Sequence, residues 1–124
     1  PRLVLGTTPD GQTLERDADV PSRQILSPEV AAQVQAFLIH CVMVEEEQHA
    51  LPGNVSAGGK TATAQTGRFD ENGDELEHGW FSGFFPAENP RYVVTVLAEN
   101  SGFGNDTAAP VFAEIAEEIS ARGW

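Results

Sequence analysis

Between Ser56 and Glu99 the chain offers three strand candidates in succession, with too little sequence between them for a crossover. The first, Ser56 to about Gly67, is small and Thr-rich. The second is Gly79 to Phe85. The third, Arg91 to Glu99, contains Tyr92-Val93-Val94-Thr95-Val96-Leu97, the strongest β signal in the chain. A polar loop around Asp70-Glu71-Asn72-Gly73-Asp74 joins the first two, and Pro86 to Pro90 joins the last two. Parallel pairing needs about a dozen connecting residues or more, so these links favour an antiparallel meander.

Two helices flank the strands. Ser27 has the chemistry of an N-cap, with Pro28 at the first helical position and Glu29 in the first turn. Val30, Val34, Phe37, Leu38, Cys41 and Val42 then recur at helical spacing, which predicts a helix from Pro28 to about Glu46 with one apolar stripe. A second helix is expected after Asp106 or Thr107, with Val111, Phe112, Ile115 and Ile119 inward, Glu114, Glu117 and Glu118 in water, and Gly123 as its stop. At the start, Leu3-Val4-Leu5 and the turn Pro9-Asp10-Gly11 read as a short strand and hairpin, followed by a polar connector from Arg16 to Pro21. The expected fold class is α+β, a small antiparallel sheet with flanking helices, in a single domain over residues 1–124.

Charge and composition remove several function classes. Nineteen acidic residues against seven basic ones give a net charge of −12. Such a chain lacks the basic face that phosphate backbones or anionic membrane surfaces require, so no nucleic-acid partner is expected. The single Cys41 allows no intrachain disulfide and no cysteine-cage metal site. No apolar run approaches the roughly 20 residues of a membrane span. The chain shows no signal peptide and begins at Pro1 without an initiator Met, so we expect a piece of a longer protein.

Lys60 is the only lysine, set in Val55-Ser56-Ala57-Gly58-Gly59-Lys60-Thr61-Ala62-Thr63-Ala64-Gln65-Thr66-Gly67. Small neighbours let a ligand approach the backbone, and a lone cation beside two threonines suits a carboxylate or phosphate. A small-residue strand packed under a helix, with Lys60 solvated, fits the same composition. Gly59-Lys60-Thr61 also ends like a P-loop, but Asn54 stands where its first glycine belongs, and Thr61 to Thr66 alternates like a strand rather than opening a helix.

Gly59-Lys60-Thr61-Ala62-Thr63-Ala64-Gln65 resembles the third conserved box of penicillin-binding proteins, usually Lys-Thr-Gly followed by Thr-Ala-Gln. Ser27-Pro28-Glu29 before it resembles the same family, as do His78-Gly79-Trp80-Phe81-Ser82-Gly83-Phe84-Phe85-Pro86, Tyr92 to Leu97, and Asn105-Asp106-Thr107-Ala108-Ala109-Pro110 after it. Order and spacing agree from about Ile25 to about Ile119, and more loosely over the first 20 residues. The chain most resembles the last part of a class B, transpeptidase-only enzyme of peptidoglycan synthesis. The resemblance implies the C-terminal portion of the penicillin-binding protein/β-lactamase-like transpeptidase fold.

The same resemblance implies a chemistry. A serine of the parent enzyme acylates on a D-Ala-D-Ala stem peptide, or on a β-lactam that mimics it, and a second strand supplies the accepting amine. Lys60 would place positive charge near the serine of the family's Ser-x-Asn box and near the substrate carboxylate. Thr61 and Thr63 would donate hydroxyls to that carboxylate, and the Thr63 backbone N–H would form half of the oxyanion hole. Ala62, where the family has Gly, and Trp80 would line the substrate wall. No metal or organic cofactor is implied. The parent would act outside the cytoplasmic membrane, held by an N-terminal helix not found in this sequence. The nucleophile box Ser-x-x-Lys and the Ser-x-Asn box are both missing from the 124 residues, so the isolated chain is expected not to acylate. The family sheet has five strands, so the edge at residues 92–97 is expected to be open and to self-associate.

Two rivals stay open. One is a non-catalytic penicillin-binding-protein-like binding module, with Ala62 marking a decayed site. The other is a nucleotide-binding domain. The remaining signals read as structural. His40, His49 and His78 lack metal-ligand spacing. Asp70-x-Asn72-x-Asp74 starts like a calcium loop, but Glu75 stands where Gly is needed. Glu45-Glu46-Glu47 is a solvated helix end, and Cys41 is expected in the core.

Overall fold

The computed structural model describes residues 6–8, 10, 15–16, 23–44 and 49–123. The elements in chain order are β1 (Gly6–Thr7), β2 (Glu15–Arg16), α1 (Pro28–Met43), β3 (Gly58–Phe69), β4 (Glu75–Phe85), β5 (Tyr92–Ala98) and α2 (Gly104–Ala121). β1 and β2 pair antiparallel, as the expected hairpin requires, although Leu3–Leu5, Pro9 and Gly11 lie outside the described residues. β3, β4 and β5 form an antiparallel sheet in sequence order. This is the α+β meander with two helices that the short links predicted.

Element ends shift by a few residues. β4 begins at Glu75 rather than Gly79, because the turn at 70–74 is tight enough for pairing to start at once. Asp70 builds that turn: its carboxylate accepts from the backbone N–H of Asn72 and Asp74 at 2.8 and 2.9 Å, and Gly73 takes φ +88°. α2 starts at Gly104, ahead of the expected Asp106, and Gly123 ends it at φ +70°. α1 ends at Met43, not near Glu46, with Val44 extended as its C-cap; the Glu45–Glu47 run lies outside the described residues. Its start is as expected, Ser27 Oγ accepting from the Val30 N–H at 3.3 Å.

The core lies between the sheet and α2. Phe81 and Phe85 alternate on one face of β4 and meet Phe112 of α2 at ring-centroid distances of 4.6 and 5.9 Å. All three are fully buried. Ala108, Ala109 and Ala116 complete the α2 face, and their small size lets the helix settle on the rings. Two expectations need correction. Ile119 is half-buried and packs against the core as expected, but Ile115 is only half-buried and Val111 is exposed, so Phe112 and the alanines carry most of this contact. On α1 only Val42 is buried; Val30, Val34 and Phe37 of the apolar stripe are exposed and Cys41 is half-buried rather than core. α1 meets the start of β3, where Ile39 approaches Gly58, and Val42 joins the buried cluster.

Candidate functional site

β3 pairs with β4 along one side and, among the described residues, with no strand along the other. Its first residues explain why it can lie flat on aromatic neighbours. A Cβ on Gly58 would come 3.0 Å from a Phe84 ring carbon and 3.1 Å from Ile39, and one on Gly59 would lie 2.8 Å from both a Phe81 ring carbon and the Ser82 carbonyl oxygen. The glycines ahead of Lys60 are thus packing residues. Just before them, the Ser56 hydroxyl donates to Glu88 and accepts from the Ala87 N–H at 3.0 Å. That hydroxyl is committed to tying the strand entry to residues 87–88, and it holds the Glu88 carboxyl below the usual carboxylate range.

The register sorts the candidate residues onto two faces. Lys60 lies opposite Ser82 and Ala62 opposite Trp80, while Thr61 lies opposite Phe81 and Thr63 opposite Gly79. Directly paired residues share a face, so Thr61 and Thr63 stand on the α2 side and Lys60, Ala62 and Trp80 on the other. The Lys60 side chain nevertheless wraps around the open edge, and its Nζ donates to Thr61 Oγ1 at 3.3 Å. Lys60, Ala62 and Thr63 are exposed; Thr61 and Trp80 are half-buried. The structure therefore gathers Lys60, Thr61 and Thr63 at one edge. It sets Trp80 across the ladder from Ala62, whose methyl points to Trp80's face and not to that of the threonines.

The direction of the backbone groups follows from one crowded point. A Cβ on Gly104, the first residue of α2, would lie 2.6 Å from the Ala62 carbonyl oxygen and 2.9 Å from the Trp80 nitrogen, and closer still to the Trp80 carbonyl oxygen. Those atoms meet only if Ala62 and Trp80 form a hydrogen-bonded pair of the ladder, with the Ala62 carbonyl turned towards β4. In a trans peptide the C=O and N–H point opposite ways. The Thr63 N–H is therefore turned outward, to the open edge, and so by strand alternation is that of Thr61.

Sequence reading missed the support behind this edge. Gly79 is buried, and a Cβ there would run into Thr107 Oγ1 and lie 3.0 Å from the Gly102 carbonyl oxygen. Residues 101–107 are tied down around it. Ser101 and Gly102 donate backbone N–H groups to the Glu77 carbonyl at 2.9 and 3.2 Å, and Ser101 Oγ donates to the Ala98 carbonyl at 2.8 Å. The available signal was the glycines at 79, 102 and 104, with Gly102 at φ +80°. His78, within β4, accepts at Nδ1 from the Asn100 N–H at 3.0 Å. No group of three or more metal-ligating side chains occurs among the described residues.

Comparison with known proteins bears on the same segment. A family model described as the penicillin binding protein transpeptidase domain matches residues 1–117. The peptidoglycan D,D-transpeptidase PbpA of Mycobacterium tuberculosis is 32% identical over 108 residues, covering 83% of this chain but 21% of its own length. Stage V sporulation protein D of Bacillus subtilis is 31% identical over 111 residues, 84% of this chain and 17% of that protein. The apo transpeptidase domain of Burkholderia pseudomallei penicillin-binding protein 3 superposes with TM-score 0.67 at 27% identity, over 94% of this chain and 35% of that one. Penicillin-binding protein A of M. tuberculosis, solved as an imipenem acyl-enzyme complex, superposes with TM-score 0.61 at 29% identity, over 90% and 24%. The chain thus spans about a fifth of these curated relatives and a quarter to a third of the solved ones. With a match over nearly its whole length, this meander and its helices belong to the penicillin-binding protein transpeptidase domain family.

Proposed function

We propose that these residues are the C-terminal portion of a peptidoglycan D,D-transpeptidase domain and form one wall of its cleft. The observation that carries this reading is the outward-turned Thr63 N–H on the open edge of β3, beside Lys60 and Thr61. In the reaction, a serine hydroxyl from another part of the protein attacks the carbonyl of the penultimate D-Ala. The serine–acyl bond forms, the peptide C–N bond breaks, and the terminal D-Ala leaves carrying the proton. An amine of a second stem peptide then attacks the ester and releases the serine.

This chain's part is electrostatic and positional. The carbonyl oxygen gains negative charge as the tetrahedral centre forms, and a fixed N–H aimed at it stabilises that charge far more than a solvated donor would. Lys60 supplies a nearby positive charge for the substrate carboxylate, and the threonine hydroxyls fix its orientation. Ala62 and Trp80 bound the wall. A β-lactam would engage the same groups. The catalytic domain is proposed to work outside the cytoplasmic membrane. No helix among the described residues is long and apolar enough to cross one.

The test is a fluorescent penicillin with intact-mass detection. It is applied to the 124-residue chain and to the full-length product of the reading frame that carries it. The long protein should label at a serine outside this segment, and the short chain should not. An adduct on the short chain would overturn the division of labour proposed here. A long protein that neither labels nor contains the two serine boxes would favour the non-catalytic binding module, to which Ala62 in place of Gly also points.

A further inference from the structure

The N-terminus of α2 sits against the back of the very peptide group proposed to act, and three features of the structure hold it there. Gly104 brings the first turn into contact with the Ala62 and Trp80 carbonyls, where any Cβ would collide with backbone rather than with a side chain that could yield. Gly79 clears the space that Thr107 Oγ1 occupies. The 101–104 turn is locked by the Ser101 and Gly102 N–H bonds to the Glu77 carbonyl, by the Ser101 Oγ bond to the Ala98 carbonyl, and by Thr107 Oγ1 donating to the Phe103 carbonyl at 2.9 Å. The helix end also lacks a side-chain cap, and Asp106 is the acidic residue of its first turn. Its N-cap is Phe103, which offers no side-chain acceptor to the first-turn N–H groups. An uncapped helix end carries roughly half a positive charge, concentrated in its first turn.

We propose that α2 polarises the Ala62–Thr63 peptide, and that Gly104 is a positioning residue for the oxyanion donor. The positive helix end faces the Ala62 oxygen and draws electron density towards it. The N–H at the other end of the same amide, that of Thr63, becomes the stronger donor for it. Contact through Gly104 also fixes the height of β3 at that residue, so the donor needs no reorganisation when charge develops. The inference rests on the reading of Thr63 as an oxyanion-hole donor. It assigns the strength of that donor to a helix on the far side of the sheet.

The test uses the full-length enzyme acylated by benzylpenicillin. One readout is the acylation rate constant, resolved from the pre-covalent dissociation constant. The other is the infrared band of the acyl carbonyl, which falls in wavenumber as the oxyanion hole pulls harder. Gly104→Ala should slow acylation by about tenfold or more with a near-unchanged pre-covalent constant, and should raise the band. Asp106→Asn removes a carboxylate from the first turn, and with it the partner 3.6 Å from His49 Nδ1. It should leave the helix end more positive and lower the band without slowing acylation. Phe112→Leu loosens the same helix from the core and should leave the band in place. An unmoved band in both Gly104→Ala and Asp106→Asn overturns the proposal, as does Phe112→Leu matching the effect of Gly104→Ala. Should Gly104→Ala fail to fold, an unmoved band in Asp106→Asn is itself decisive. A wild-type enzyme that forms no acyl-enzyme would overturn the underlying reading instead, which is a different result from normal acylation with unmoved bands.

Discussion

At the scale of single residues, Asp70 shows how a side chain can build the turn between two strands. Backbone hydrogen bonds, the Asp74 N–H foremost, hold its carboxyl below the usual aspartate range. A depressed folded pKa means that the carboxylate's contribution is fully present above the unfolded value near 4, and is lost as pH falls through the lower folded value. In an NMR titration the Asn72 and Asp74 amide shifts should move together, with a midpoint below about 4. A midpoint at or above that value would remove Asp70 from its place in the turn. The polar run at 70–74 was legible as a loop because Asp, Asn and Gly each favour turns for a local reason. That Lys60, Thr61, Ala62 and Thr63 share one strand was legible from the Thr/Ala alternation. What Gly104 and Gly79 do was not legible. Their role is the absence of a side chain at a contact between distant parts of the chain, and no local pattern encodes a partner for it.

At the scale of elements, the two helices part company. α2 seats Phe112 between Phe81 and Phe85, so Phe112→Ala should cost the 124-residue chain about 3–5 kcal/mol in denaturant unfolding. Phe37 of α1 is 69% exposed, and Phe37→Ala should change stability by less than about 0.5 kcal/mol. Equal losses for the two would mean that the α1 face is covered in solution. The helical spacing of α1 was readable from Val30 to Val42, and its cap from Ser27, because both are local. Periodicity names the face that wants burial but not the surface that buries it, which is why Cys41 is only half-buried and Val30, Val34 and Phe37 are exposed while Val42 is buried. On α2 the same rule undervalued alanine: Ala108, Ala109 and Ala116 are fully buried because close approach, not bulk, is what the aromatic rings of β4 demand.

At the scale of the whole molecule, β5 and α1 both leave apolar side chains open to water. Val93 and Leu97 are 77% and 41% exposed on β5, whose outer edge has no partner among the described residues. Ile25, Leu26, Val30, Val34 and Phe37 are exposed at the start of and along α1. We propose that the isolated chain self-associates through the β5 edge, against the repulsion of a net charge of −12. Sedimentation should show association that grows with concentration and with salt, and Val93→Lys should reduce it. A monomer at every concentration would overturn this. The meander itself has a different consequence. β3 pairs with β4 across residues 70–74, and β4 with β5 across 86–91, so among the described residues every pairing in this sheet joins neighbours in sequence. Closing such loops costs little chain entropy, and each doubling of loop length would add only about 0.6 kcal/mol. The strand on which Thr63 lies can therefore pair locally, through the register shift between Gln65 and Phe69, before any distant part of the polypeptide has arrived.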